Sequence, residues 1–140
     1  MSNRVKALYS EPISLLQMVA GAAGVKKGQI LVFNAGVADA TSEGVATAIV
    51  LGVAAEDAAS GVIVPIYPAS KIKMQFPIYQ GGATDVFADA NVGDLFDIFV
   101  DTYDTYLDPN DVAGGFVILE SYDNLHQLAV GRIPQTLCYA

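Results

Sequence analysis

The sequence predicts an all-β protein, a small β-barrel or sandwich entered by an extended N-terminal arm. Three observations carry this. The apolar runs are short, rich in Val and Ile, and bounded by Gly, Asp, Asn or Pro, which is how strands are punctuated. About eight such runs follow one another at fairly even spacing, the rhythm of small barrels and sandwiches. No helical runs alternate with them, which argues against a parallel α/β sheet. The chain has 140 residues, one domain's worth, and at 53% hydrophobic and only 16% charged it has ample apolar surface to fold around.

Residues 1–27 lie outside the strand rhythm and are expected to form an arm. They hold four of the seven basic residues, Arg4, Lys6, Lys26 and Lys27. Leu8 and residues 13–19 are apolar enough to add a strand to a partner. Arg4, Val5, Lys6, Leu8, Tyr9, Ile13, Leu15 and Leu16 are therefore the candidate partner contacts.

The domain proper is expected over 28–133. Residues 29–34 (QILVFN) form a strand, closed by Asn34 with Ala35 and Gly36 as the turn, and 37–41 return against it. Residues 47–55 form a long apolar strand buried on both faces, followed by a loop of small residues at 56–61. In the strand at 62–67 (VIVPIY), Pro65 cannot donate a ladder hydrogen bond, so an edge position or a bulge is expected there. Residues 71–76 (KIKMQF) alternate with period two, placing Ile72, Met74 and Phe76 inward. A loop spans 80–91, with a short helical turn near 84–88. Residues 95–100 are the next strand, and 101–111 (DTYDTYLDPND) are a polar excursion ending in a turn at Pro109 and Asn110. Gly114 and Gly115 lead into a strand at 116–121. Asp123 and Asn124 turn the chain into a last strand at 125–133, and 134–140 form a tail.

Residues 13–23 (ISLLQMVAGAA) have some of the look of a signal peptide, but Glu11, Pro12 and Gln17 spoil the pattern, and a buried strand or arm is the better reading. No run reaches the ~18 apolar residues of a membrane-spanning helix, so a soluble protein is expected. A net charge of −8 argues against nucleic-acid binding and against a basic membrane-surface protein.

Side chains that carry chemistry are scarce. One Cys and one His permit neither an internal disulfide nor a Cys/His zinc site of the usual count. His126, set in the strand LHQLAV with no nucleophile near it in sequence, reads as a surface or partner-facing residue rather than a general base. Cys138 reads as a small apolar contact, because nothing nearby would lower its pKa. Ten of the 15 carboxylates fall between Asp85 and Asp123. Within that stretch Asp101, Asp104, Asp108, Asn110 and Asp111 supply oxygens of the kind calcium takes, but not at EF-hand spacing, and a solvated face is the better reading. Some pair of these acids will fall at glycosidase distance by chance, which carries little. No Gly-rich phosphate loop occurs. Phe96, Phe99, Tyr103 and Tyr106 form a local aromatic group, read as strand-then-loop rather than a helical stripe. No enzyme activity, metal or cofactor is expected.

With this strand pattern in place, GQILVF (28–33) and LGVAAEDAASGVIVPIY (51–67) resemble the head-decoration, or capsid cement, proteins of tailed bacteriophages. GDLFDIFV (93–100), GGFVILES (114–121) and LAVGRI (128–133) resemble that family's closing strands. The resemblance implies a small β-barrel or β-tulip-like sandwich. It also implies a homotrimer on the outer capsid surface of the virion, with the major capsid protein as partner and neighbouring subunits clamped together. A carbohydrate-binding or adhesive β-domain, using the aromatics near Tyr103 and Tyr106, is the alternative.

Overall fold

A computed structural model describes residues 4–41, 49–81 and 85–139. In chain order the first strands are β1 (Lys6–Leu8), β2 (Leu16–Val19), β3 (Ile30–Asn34), β4 (Val37–Ala40), β5 (Val50–Ala54) and β6 (Ile63–Pro68). They are followed by β7 (Lys73–Pro77), β8 (Leu95–Phe96), β9 (Ile98–Asp101), β10 (Asp104–Leu107), β11 (Val117–Asp123) and β12 (Leu128–Arg132). The protein is all-β. One antiparallel sheet runs β1-β7-β12-β11-β8, a second runs β2-β6-β5-β3-β4, and β9 and β10 form a separate hairpin.

The main core lies between the sheets. Met74 and Phe76 of β7, Phe96, Phe116 and Leu119 meet Ile30, Val50 and Val53 of the second sheet. The alternation expected of β7 is present, with Ile72, Met74 and Phe76 all buried. The other face of the second sheet is buried too. That sheet curls until its outer strands touch: Ala20 bridges Ala38, and the Gly21 N–H donates to the Ala38 carbonyl at 2.8 Å. Leu31, Leu51, Val64 and Ile66 fill the inside of the curl together with Ala20, Ala38, Ala54 and Ala58. Every residue of β5 is consequently buried, as its unbroken apolar sequence predicts. One bridge is not a ladder, so the curl stops short of a closed barrel among the described residues. Close approach explains the small side chains. At Gly52 (φ 148°) a Cβ would stand 1.8 Å from the Tyr67 carbonyl oxygen of the neighbouring strand.

Several expectations need correction. The N-terminal residues do not stand apart as an arm. β1 pairs with β7 (Lys6 opposite Gln75) and β2 with β6 (Leu16 opposite Ile66), forming one edge of each sheet. The physical reason is apolar burial: Val5 is in the main core, and Leu16 and Met18 turn toward the curl while Gln17 and Val19 face out. Pro65 sits neither on an edge strand nor at a bulge, because β6 lies between β2 and β5 in regular register. It is tolerated because it faces Ala55, just past the end of β5. Its carbonyl accepts the Ala55 N–H at 2.9 Å, and only the return bond is forgone.

Of the segment expected to hold a helical turn, 85–88 are not helical and a 3₁₀ turn follows directly at Asp89–Asn91; residues 82–84 and 42–48 lie outside the described set. The strand expected at 95–100 breaks at buried Asp97 into β8 and β9. The polar excursion contains β10, whose Thr105 and Leu107 point inward while Asp104 and Tyr106 are half-buried. Thr102, at φ 56°, makes the turn between β9 and β10. His126 lies in the turn before β12 rather than within a strand.

Candidate functional site

The basic residues of the N-terminal segment converge on one cleft. Arg4 and Lys6 arrive on the chain entering β1. Lys26 and Lys27 arrive on the turn before β3, which is closed by the Lys26 N–H donating to the Gln29 Oε1 at 2.7 Å. The two segments are tied together where the Val5 N–H donates to the Gly28 carbonyl at 3.2 Å. Val53 and Ala54 at the end of β5, Tyr67 of β6 and Tyr103 at the tip of the β9–β10 hairpin complete the walls. The enclosed volume is about 900 Å³.

Two of the four cations already have carboxylate neighbours. The Arg4 guanidinium donates through Nη1 to the Lys27 carbonyl at 2.7 Å, and its Nε stands 3.5 Å from Asp104 Oδ1. Lys26 Nζ lies 3.9 Å from Asp57 Oδ2, and that same carboxylate accepts the Lys27 N–H at 2.8 Å. Arg4 and Lys26 each also lie 5.6 Å from the centre of the Tyr103 ring, within reach of its negative face. Lys6 and Lys27, by contrast, make no side-chain ion pair among the described residues and are exposed. Tyr9 and Tyr67 pack at 5.5 Å between ring centres. The Tyr9 hydroxyl is held above its ordinary pKa, first by its hydrogen bond with Tyr67 and then by that neighbour's charge.

The candidate contacts are thus only partly gathered. Arg4, Val5, Lys6 and Tyr9 line the cleft. Ile13 and Leu15 line an adjoining groove with Tyr9 and Pro12, and Leu16 lines a third beside Pro68 and Tyr139. Leu8 sits on β1 opposite Lys73, outside the cleft. The sequence reading does not place Lys26, Lys27, Asp57 or Tyr67 in a site, and it names Tyr103 only for the carbohydrate-binding alternative. The available signal was that the basic residues lie at both ends of a segment whose middle is apolar.

The other candidates disperse. Asp104 faces Arg4, whereas the Asp108 carboxylate caps its own turn, accepting the Asn110 N–H at 3.0 Å. Burial holds the Asp108 carboxyl above its ordinary pKa, with Asp111 and Asp85 adding to the effect. No group of three or more metal-ligating side chains gathers among the described residues. His126 Nδ1 lies 2.7 Å from Asp123 Oδ2 on an exposed turn. Cys138 is buried against the main core, and burial raises its thiol pKa. The aromatic group divides three ways: Phe96 packs edge-to-face on Phe87 in the core, Phe99 and Tyr106 join Tyr79, and Tyr103 belongs to the cleft.

A second surface feature is apolar. Val19 (38% exposed) pairs across the β2–β6 ladder with Ile63 (58%), and Val62 (51%) is adjacent. No helix among the described residues is long and apolar enough to cross a membrane. Comparison with protein-family models, with curated proteins and with solved structures finds no match.

Proposed function

We propose that this chain is a structural decoration protein of a phage head. It binds the outer capsid surface as a homotrimer and clamps neighbouring major capsid subunits. The observation that carries the reading is a short strip at a sheet edge, the cross-strand pair Val19 and Ile63 left in water, with Val62 exposed just before the strand begins. Apolar side chains exposed together at one place mark an interaction face. The resemblance of residues 51–67 to capsid cement proteins supplies the kind of partner. Those residues fold as β5, a turn and β6, so the segment that carries the likeness also carries the strip's Val62 and Ile63.

The test is binding of the purified protein to expanded phage heads that lack their decoration protein, with head stability read by heating. Wild-type protein is expected to bind and to raise the temperature of head disruption. Val62→Asp/Ile63→Asp, two changes at exposed positions, is expected to weaken binding about tenfold or more. Light scattering is expected to give the mass of a trimer. Bare heads and unchanged head stability would overturn the reading, and clear binding on a glycan array in their place would favour the carbohydrate-binding alternative.

A further inference from the structure

We infer that the cleft between β1 and the β5–β6 end is a binding site for an extended, carboxylate-rich peptide segment of a partner protein. The residues lining it carry four cations against a single carboxylate, Asp57, on a chain whose net charge is −8. The positive charge is therefore concentrated where one concave surface can use it. Its cations are also divided in role. Arg4 and Lys26 already have carboxylate neighbours, Asp104 and Asp57, and both lie beside the Tyr103 ring. Lys6 and Lys27 make no ion pair among the described residues, so their ammonium groups are the ones open to incoming carboxylates.

An extended peptide is the occupant that the rest of the cleft fits. β1 is the last strand of its sheet, hydrogen-bonded on one side to β7 alone, and its residues Lys6 and Ala7 line the cleft. A free strand edge offers main-chain hydrogen bonds to an extended chain, whose alternate side chains then reach opposite walls. The rings of Tyr9 and Tyr67 give an apolar surface for one set, and the lysines meet the other. A nucleic acid would have to approach a chain of net −8 against long-range repulsion. The β9–β10 hairpin of a second copy is a poor occupant, because its tip is already engaged within its own chain, Asp104 by Arg4 and Tyr103 by Arg4 and Lys26. The inference goes beyond the capsid reading and is tested without phage heads.

The experiment measures fluorescence anisotropy of a short labelled peptide of alternating Glu and Val, titrated with the full chain. Binding is expected, weakening as sodium chloride is raised, while the peptide with Gln in place of Glu stays free. Lys6→Glu/Lys27→Glu is expected to weaken binding about tenfold or more, because both charges reverse. Both side chains are exposed, and thermal melting checks the fold; Lys6→Gln/Lys27→Gln serves if the reversal unfolds the protein, with a smaller loss expected. Undetectable binding, or binding that both double variants leave unchanged, overturns the inference. Tighter binding of an oligothymidylate than of the peptide overturns it in favour of nucleic acid. A solution mass that falls to the monomer in the lysine variants, with peptide binding absent, overturns it in favour of a second copy.

Discussion

The molecule has two interiors, and they are packed on different principles. Between the sheets, large side chains interlock: Phe76, Phe96, Phe116, Met74 and Leu119 are all essentially inaccessible to water. Inside the curl of the second sheet, Ala20, Ala38, Ala54 and Ala58 share the space with five aliphatic side chains, Val25, Leu31, Leu51, Val64 and Ile66, and none of its buried residues is aromatic. The first interior is held by volume, since a close-packed core loses contacts whenever atoms are removed. The second is held by clearance, since the sheet can bend back on itself only where side chains are small. Alanine and glycine here are packing residues as well as turn residues.

The largest effect is expected at Phe76, in the core between the sheets. Phe76→Ala is expected to destabilise the protein by about 3–5 kcal/mol, the usual cost of removing a buried ring and leaving its cavity. The measurement is urea unfolding, and a loss below about 1 kcal/mol would mean that the two sheets are not held by volume. Next comes the clearance test. Gly52→Ala adds one methyl group where the backbone φ is 148° and the Tyr67 carbonyl oxygen would be 1.8 Å away. The expected loss is about 3 kcal/mol, from strain and overpacking together. A neutral result by the same unfolding measurement would show that the approach of β5 to the β6 backbone has room to spare.

The smallest effect belongs to a pair in neither interior. Asp123 is held below its ordinary carboxylate pKa, first by the side-chain hydrogen bond with His126 and then by the His126 backbone N–H. A carboxylate whose folded pKa is depressed stabilises the fold above its unfolded pKa, and that contribution is lost as pH falls through the depressed value. His126→Ala is expected to return the Asp123 midpoint toward the ordinary range in an NMR titration, with neutral-pH unfolding almost unchanged because the pair is exposed. An unmoved midpoint would show that the backbone alone sets it.

Where strands declare themselves by local pattern, the sequence is a good guide. The β3–β4 hairpin has its Asn34-Ala35-Gly36 turn, β5 its unbroken apolar run, and β7 its alternation of Lys and Gln with Met and Phe. β10 is harder to see, because only Thr105 and Leu107 face inward and the surrounding letters are polar. β2 lies within the segment 13–23 read as a buried strand or arm, but its place in the second sheet, and that of β1 in the first, are not visible. Their partners, Gln75 and Ile66 among others, lie far along the chain, and local periodicity cannot supply long-range pairing. The cleft shares that difficulty. Arg4, Lys6, Lys26 and Lys27 are conspicuous as charges, but their convergence depends on β1 closing against the turn at Gly28 and on Tyr103 arriving from a distant hairpin.

The outer edge of a terminal strand is a template that one molecule can offer to the next, and repeated pairing of that sort leads to aggregation. β1 is only three residues long, and Lys6 lies on it with Arg4 and Lys27 close by. A twin presenting the same edge would press these cations against their counterparts. The lysines therefore act as gatekeepers, resisting growth of the sheet into its own kind while leaving the edge open to a chain of opposite charge.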